Sequence, residues 1–412
     1  MLTIGRTWIR DLKFGREWCL HDHILTVEKN GLRTFLVERD SRIEKLVISL
    51  ARPGESVRIL CVKDVIQPWS KVKGERAGTG LRQVLSNVAV VTCGKIVGFQ
   101  EGIIDMSGPG ASYSPFADTF NLVLEIGVSK KLTAREHEEC VRGAGLAAAD
   151  FVGKVVLCQP PDKEESFAPL APPVDPLLPR IAYVYPLLTQ GLLHDSYLWG
   201  KNAMHGLPRF VEPHLLLDGA ITSGNCVSAC DKNTTWHHQN NPIILELFRR
   251  HGRDLNFVGV LLTCEPVRLA QKEEAAAKVI ELAGNLQLQG VILSKEGFGN
   301  PDADQMMLIR KFDGMGVKTV AISDEFAGAD GCSQSLADTT AEADAVVSVG
   351  NANERLLLPP QAVILGPIAD LTLLAGAYPQ SLHADGSLEI ELQGIIGATN
   401  ELGAQKLSCR EI

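Results

Sequence analysis

The sequence of 412 residues predicts an α/β protein, with an N-terminal β-rich domain followed by a C-terminal α/β domain that has a mostly parallel sheet and a terminal β-hairpin. Three observations predict this class. Short segments rich in Val and Ile dominate residues 1–130, seven prolines fall within residues 159–179, and strand patterns alternate with helix patterns after that segment. We therefore expect domains at residues 1–158 and 180–412, joined by an extended proline-rich linker at 159–179.

The N-terminal domain is predicted from four β-prone runs separated by Gly, Pro or Asp: residues 32–40, 45–51, 56–66 and 88–99. Residues 102–117 (GIIDMSGPGASYSPFA) are rich in Gly, Ser and Pro and predict a long loop. Residues 133–153 predict a helix within this domain, because Thr133 is a favourable N-cap and apolar residues then recur at helical spacing.

The C-terminal domain is predicted from alternating elements. Apolar runs predict strands at 255–263, 290–294, 317–323 and 345–349, and helical spacing predicts helices at 269–282 and 302–315. This alternation favours a parallel sheet with helices on its faces. Asp385 and Gly386 form a strong turn signal ahead of an alternating strand and predict the terminal hairpin.

Composition argues against several classes of function. The net charge is −9 and no basic cluster is present, which argues against a nucleic-acid-binding surface. There is no run of 18 apolar residues, and the N-terminal sequence lacks the apolar segment of a signal peptide, so we expect neither a membrane span nor export. The ten cysteines are then expected to be reduced thiols in a cytoplasmic protein.

Polar, Gly-rich loops follow three of the predicted strands, at residues 296–304, 323–335 and 350–354. Ligands of parallel α/β sheets gather beyond the carboxyl ends of the strands. Ordinary turn chemistry explains such loops about equally well. The candidate substrate-binding residues in these loops are Glu296, Asn300, Asp302, Asp324, Glu325 and Asn351.

Residues 218–242 (DGAITSGNCVSACDKNTTWHHQNNP) concentrate reactive side chains in a turn-rich segment with three open interpretations. In the first, the segment is a structural loop whose polar side chains cap the neighbouring backbone. In the second, Cys226 and Cys230 bind zinc together with a histidine, since thiolate and imidazole are zinc ligands. His237 and His238 are adjacent, however, and adjacent side chains point in different directions in most backbone conformations.

The third interpretation is self-processing at the bond between Asn225 and Cys226. The cysteine thiolate would attack the preceding carbonyl to give a thioester, and β-elimination and hydrolysis would then leave a pyruvoyl group. The ordinary pKa of a cysteine is ~8.5, so the attack needs a base or a local positive field. His237 or His238 could supply either one, and Gly224 would give the turn its conformational freedom.

Long strings of the sequence resemble one family: SGNCVSACDKN (223–233), HHQNNP (237–242), EGFGNPDAD (296–304) and GATNELG (397–403). The chain resembles, nearly end to end, the proprotein of the pyruvoyl-containing subunits of component B in the glycine, sarcosine and betaine reductase complexes. More distantly it is similar to the D-proline reductase proprotein. The resemblance implies cleavage at Cys226, with Asn225 as the acyl donor and a pyruvoyl cofactor derived from Cys226.

The resemblance also implies a function. The chain would be an oxidoreductase subunit with a disulfide as acceptor. It would bind glycine or an N-methylated glycine (sarcosine, betaine) and activate its C–N bond for reductive cleavage to acetyl phosphate and ammonia or an amine. The pyruvoyl carbonyl would hold the amine as a Schiff base, which a quaternary ammonium such as betaine cannot form.

The partners and minor roles follow from the same resemblance. The implied partners are a component B subunit with selenocysteine or cysteine, components A and C of the complex, and thioredoxin as the electron source. His237 and His238 are expected to carry protons in processing or turnover. Cys230 is expected to be structural, Cys332 has no assigned role, and no metal is expected.

Overall fold

The structure, a computed structural model, describes residues 1–98, 101–171, 175–190, 195–224, 233–333, 336 and 338–406. It is a mixed α/β protein with several mixed sheets. The helices in this part of the chain are α1 (Lys29–Arg39), α2 (Ala134–Gly153), α3 (Pro213–Leu216), α4 (Thr235–Gln239), α5 (Pro242–Arg250), α6 (Leu269–Gly284) and α7 (Asn300–Asp313).

The strands within the described residues follow in chain order. They are β1 (Leu2–Trp8), β2 (Asp11–Gly15), β3 (Cys19–His21), β4 (Ile24–Glu28), β5 (Ile43–Ala51), β6 (Val57–Ile66), β7 (Trp69–Lys73), β8 (Gly80–Ser86), β9 (Val88–Cys93), β10 (Gly102–Asp105), β11 (Phe120–Val128), β12 (Lys163–Phe167), β13 (Arg180–Leu188), β14 (Tyr197–Leu198), β15 (Lys201–Asn202), β16 (Arg209–Val211), β17 (Ile221–Thr222), β18 (Asn256–Glu265), β19 (Gly290–Leu293), β20 (Lys318–Glu325), β21 (Ala345–Asn351), β22 (Arg355–Leu358), β23 (Val363–Leu365) and β24 (Leu388–Glu391).

The N-terminal half is built around a mixed sheet in the order β10-β6-β9-β11-β5. Helix α2 packs against this sheet, and Leu122 of β11 and Val141 of α2 belong to one apolar core. Thr133 caps the helix through a capping box with Glu136, which satisfies two backbone amides at the helix start. The predicted helix and its cap are therefore confirmed.

Two segments of this half differ from the sequence prediction. Residues 32–40 are predicted to be β-prone, but residues 32–39 lie in α1, where the Glu28 side chain accepts hydrogen bonds from amides of the first turn. Leu32 and Leu36 then share one buried helix face, a spacing that the β-prone composition concealed. The predicted loop at 102–117 begins with strand β10, which pairs antiparallel with β6.

The C-terminal half contains a six-stranded sheet in the order β16-β18-β13-β19-β20-β21. Neighbouring strands are parallel from β18 to β21, and β16 is antiparallel to β18. Successive side chains of a strand point to opposite faces, so Val184 packs with the core under α6 and α7, whereas Tyr183 and Tyr185 pack with the core that includes α5 and β1. The predicted mostly parallel sheet is present, and its strands and helices lie close to their predicted bounds.

Two connections differ from expectation. Lys163–Phe167, within the predicted linker at 159–179, forms β12 and pairs antiparallel with β1. Gly386 has the left-handed φ of 85° that the predicted turn requires. The strand after that turn, β24, pairs antiparallel with β22 and not with the residues directly before the turn, where Leu382 and Leu388 form only an isolated bridge.

The two halves share a sheet, because β23 from the C-terminal half pairs parallel with β6 of the N-terminal half. The domain limits at 1–158 and 180–412 therefore stay a prediction. None of the described helices has both the length and the apolar composition needed to cross a bilayer.

Helix α4 lies between the two large sheets and fixes the location of the site. It packs against β6 of the N-terminal sheet. Its His238 contacts Tyr185 of β13 in the C-terminal sheet through a hydrogen bond. The carboxyl ends of β13, β18 and β19 meet beside this helix, where parallel sheets usually bind their ligands.

Candidate active site

Helix α4 carries both predicted histidines, and they are 0% and 2% exposed. Thr234 is the N-cap. Its backbone amide donates to His237 Nδ1 at 3.1 Å, and its hydroxyl lies 3.4 Å from the His237 backbone nitrogen. His237 thus takes the place that Glu or Gln has in the common capping box, and its ring is held by the helix start.

The hydrogen bond at Nδ1 assigns the proton of neutral His237. A backbone amide can only donate, so Nδ1 is the acceptor and the ring proton lies on Nε2. The ring centroid lies 5.2 Å from that of Phe116, and a Cβ built at Gly397 would lie 3.4 Å from Nε2. Neutral His237 therefore presents a hydrogen-bond donor at Nε2.

His238 faces different surroundings. Its Nδ1 is hydrogen bonded to the hydroxyl of Tyr185, whose ring stacks on Tyr183 with centroids 4.9 Å apart. The Tyr183 hydroxyl is hydrogen bonded to Ser294 Oγ at 2.7 Å. Burial raises the pKa of Tyr185 well above its ordinary value, which keeps this hydroxyl protonated beside the imidazole.

The segment before residue 225 is fixed by a carboxylate of β6. Asp64 accepts from the backbone amide of Thr235 at 2.9 Å and from its hydroxyl at 2.6 Å. The same hydroxyl accepts from the Ser223 amide at 2.9 Å. A Cβ at Gly224 would lie only 2.4 Å from the Asp195 carbonyl oxygen, so only glycine fits there.

The segment after residue 232 is fixed by a carboxylate at the carboxyl end of β19. Glu296 accepts from the amide of Asn233 at 3.1 Å with Oε1 and from the amide of Leu188 at 3.2 Å with Oε2. The Asn400 side-chain amide donates to Asn233 Oδ1 at 2.8 Å. The two described ends of segment 225–232 are therefore held beside the same short helix, α4.

A buried charge cluster adjoins Glu296. Lys295 Nζ lies 2.7 Å from Asp302 Oδ1, 2.7 Å from Asp324 Oδ1 and 3.2 Å from Glu401 Oε1. All four side chains are essentially inaccessible to solvent. Burial raises the pKa of Asp302 and the neighbouring Lys295 ammonium opposes the rise. One lysine thus faces three carboxyl groups, which makes this region acidic.

The predicted substrate-binding residues divide into two groups. Glu296, Asp302 and Asp324 lie in the buried network around Lys295. Asn300, Glu325 and Asn351 lie outside it and brace loops: they contact the Val267 carbonyl, the Ser348 hydroxyl, and the backbone of Ala327 and Gly328, respectively.

Asn225, Cys226 and Cys230 are outside the described residues, and Cys332 is exposed. Within the part of the chain that the structure describes, no group of three or more His, Cys, Asp or Glu side chains is arranged to hold a metal ion.

The structure adds residues that were missed in the sequence: Asp64, Tyr185, Lys295, Asn400 and Glu401. Four of them carried a signal in the sequence, although no local pattern showed which residues they contact. Asp64 is a charged residue within a strand that is buried along its whole length, and buried charges are usually paired or functional. Lys295 directly precedes the EGFGNPDAD string, and Asn400 and Glu401 lie within GATNELG, both strings that had already stood out.

The fold and site define a class of protein: an α/β chain with a buried site of histidines, hydroxyls and carboxylates beyond the carboxyl ends of parallel strands. A family profile described as glycine/sarcosine/betaine reductase component B subunits matches residues 1–410. The chain belongs to this family, which confirms the resemblance found in its sequence strings.

Three curated relatives show how closely the chain follows its family. It is 45% identical to glycine reductase complex component B subunits alpha and beta from Acetoanaerobium sticklandii, over 99% of each chain. It is 44% identical to sarcosine reductase complex component B subunit alpha from Peptoclostridium acidaminophilum, again over 99% of each chain. Betaine reductase complex component B subunit alpha from that organism is 32% identical over 95% of each chain. No solved structure matches the chain.

Proposed function

We propose that this chain is the pyruvoyl-bearing subunit of component B in a reductive deaminase complex, an oxidoreductase that acts on glycine or an N-methylated glycine. One observation carries the proposal: both described ends of segment 225–232 are fixed beside the buried histidines of α4, where the family places its self-cleavage. The name of the glycine reductase relative supports the same idea, because it assigns two subunits, alpha and beta, to one chain.

The pyruvoyl group would form from Cys226 in steps that balance. The thiol sulfur bonds to the Asn225 carbonyl carbon, the C–N bond breaks, and the thiol proton ends on the freed amine. Removal of the Cα proton of residue 226 then breaks its Cβ–S bond, which leaves a thiocarboxylate on Asn225 and dehydroalanine at residue 226. Water converts the dehydroalanine to a ketone and releases ammonia.

The residues around the segment suit a ketone and an amine. A ketone oxygen accepts hydrogen bonds, and neutral His237 presents a donor at Nε2. Among the residues that the structure describes here, three carboxyl groups face the single positive charge of Lys295, a balance that would favour a cationic amine over an anion. The ketone, once formed, supplies an electrophilic carbonyl that makes the amine nitrogen a better leaving group.

The chain's own side chains would then orient the reactants and hold protons. Asp64 and Glu296 keep the backbone on both sides of the segment in place. Tyr185 holds His238 in one orientation, and the burial of both rings excludes water from this side of the site. No selenocysteine is present in the sequence, so the nucleophile that displaces nitrogen would come from a partner subunit of component B, with components A and C and thioredoxin completing the cycle.

Intact-mass spectrometry and a denaturing gel test the proposal. The wild-type chain should appear as two pieces of about 24 and about 20 kDa, in proportion to their residue numbers. The smaller piece should lack one nitrogen and one sulfur, carry one additional oxygen, and react with hydrazine or borohydride.

Matched variants complete the test. Cys226→Ala should give a single 44.6 kDa chain that does not react with hydrazine, whereas Cys332→Ala, a change at an exposed cysteine, should be cleaved normally. An unreactive uncut wild-type chain would identify an α/β ligand-binding scaffold. Stoichiometric zinc that is lost in Cys230→Ser would identify a metal site. Either result would contradict the proposal.

A further inference from the structure

Hydrogen bonds at both ends of segment 225–232 join the two pieces of the chain that cleavage would produce. Ser223, in the first piece, donates to the hydroxyl of Thr235 in the second. Asn233, in the second piece, shares the Glu296 carboxylate with Leu188 of the first. Two carboxylates, one from each piece, therefore lie at the points where the ends of the segment are held.

Asp64 holds the upstream end through Thr235. It is 1% exposed, lies on β6, and binds both the amide and the hydroxyl of Thr235. Because that hydroxyl gives its proton to Asp64, its lone pairs are free to accept from the Ser223 amide. Asp64 thus orients the Thr235 hydroxyl, which donates to the carboxylate on β6 and accepts from the Ser223 amide.

Glu296 holds the downstream end and is also 1% exposed. Each of its oxygens accepts from a backbone amide, one from Asn233 and one from Leu188 at the end of β13. Its own amide donates to Glu265 Oε1 at 2.9 Å. Only a carboxylate offers two acceptor oxygens in this geometry, since an amide side chain would turn one donor towards a backbone N–H.

We propose that Asp64 and Glu296 are positioning residues for self-cleavage at Asn225–Cys226. Both roles presuppose the proposed self-cleavage. Attack of the thiol sulfur on the neighbouring carbonyl carbon needs the two groups in one relative orientation, and the backbone on both sides sets that orientation. Neither carboxylate needs to touch the reacting atoms, since each fixes an end of the segment.

The rate of cleavage tests these roles. Freshly translated, labelled chain is followed on a denaturing gel as the full-length band converts to two pieces. Glu296→Gln should slow conversion roughly tenfold or more, because one buried backbone amide loses its acceptor. Asp64→Ala should have an effect of similar size. Asp64→Asn should restore cleavage to within roughly threefold of wild type, since its amide can donate to the Thr235 hydroxyl while its oxygen still accepts from the Thr235 amide.

Hydroxylamine separates positioning from later steps, because it cuts a thioester but leaves a peptide bond intact. In a short hydroxylamine pulse, Glu296→Gln should be cut roughly tenfold less than wild type, since the thioester forms more slowly without a fixed downstream end. Rapid hydroxylamine cleavage of this variant would overturn the inference, as would cleavage of folded Glu296→Gln and Asp64→Ala at the wild-type rate.

Controls keep the outcomes distinct. Glu273→Gln, the same chemical change at an exposed position of α6, should be cleaved like wild type. If Glu296→Gln fails to fold by circular dichroism, Asn400→Asp replaces it, because this change removes the N–H that donates to the Asn233 side chain and keeps the oxygen that accepts from the amides of Leu402 and Ala404. A wild-type chain that remains whole would contradict the proposed function itself, whereas a wild-type chain that is cut with unaffected variants would contradict only the positioning roles.

Discussion

At the scale of single residues, the candidate site contains ion pairs that are buried away from water. Among the described residues, Lys295 pairs with the carboxyl groups of Asp302, Asp324 and Glu401, and all four side chains are buried. A buried ion pair adds little net stability, but removing one partner leaves the other charge without compensation. Removal of Lys295 should therefore destabilise the fold, because the three carboxyl groups would stay buried without its positive charge.

The variant Lys295→Met should lower the free energy of unfolding by about 3–5 kcal/mol at neutral pH. Burial already raises the pKa of Asp302, and loss of the ammonium would raise it further. The folded state would then bind more protons than the unfolded state, so stability falls as the pH rises above the ordinary pKa of an aspartate. Urea unfolding at pH 5.5 and pH 8 should show the larger loss at pH 8.

A matched substitution separates this effect from simple loss of a lysine. Lys278 on α6 pairs with Glu281 at the surface, where its side chain is 45% exposed. Lys278→Met should therefore cost little, and equally at both pH values. A Lys295→Met loss that is the same at pH 5.5 and pH 8 would show that the carboxyl groups do not depend on Lys295.

Part of this candidate site could be predicted from the sequence, namely the part whose residues lie close together in the chain. His237 and His238 were found because reactive side chains are concentrated within a short segment. Lys295 and Glu401 were not, because a contact between residues far apart in the chain has no local pattern. Asp64 was hidden in the same way, since only the tertiary structure shows that Thr235 lies beside β6.

Secondary-structure elements show how close packing limits local propensity. Helix α2 contains three glycines, and Gly143 and Gly153 are two positions at which alanine would normally be the better helix former. Gly143 is exposed, with no atom within 4 Å of a built Cβ. At Gly153, a Cβ would lie 2.3 Å from the Trp69 carbonyl oxygen, where the helix end meets β7. The same substitution should therefore have opposite effects at the two positions.

Gly143→Ala should stabilise the chain by up to about 1 kcal/mol through helix propensity. Gly153→Ala should destabilise it by about 1–3 kcal/mol, because the backbone of Trp69 must move to admit the methyl group. Urea unfolding followed by circular dichroism measures both changes. Stabilisation by Gly153→Ala would show that α2 and β7 are not in close backbone contact.

The elements that the sequence predicted correctly are those with a local cause. Thr133 as an N-cap and the helical spacing after it predicted α2, and the alternation of strand and helix patterns predicted the parallel sheet. Residues 32–40 were mistaken for a β-prone run because their branched and aromatic side chains outweighed the helical spacing of two leucines. The pairing of β24 with β22 has no local cause, since register across a long connection depends on tertiary packing.

At the scale of the whole molecule, the proposed cut does not follow any structural boundary. Strand β13 belongs to the first piece but lies between β18 and β19 of the second in one sheet. Strand β23 of the second piece pairs with β6 of the first. Cleavage at Cys226 would therefore leave two cores shared between two chains: the core under α6 and α7 and the core that includes α5 and β1.

The two pieces should consequently stay together after cleavage. Separating them would break the ladders of β13 on both sides and expose the apolar face that Tyr183 and Tyr185 share with β1 and α5. A cleaved sample should elute from a sizing column as one species that contains both pieces in equal amounts, also at high salt, because apolar burial is not screened. The pieces should separate only when urea unfolds the sheet, and separate elution in native buffer would show that the cut releases β13.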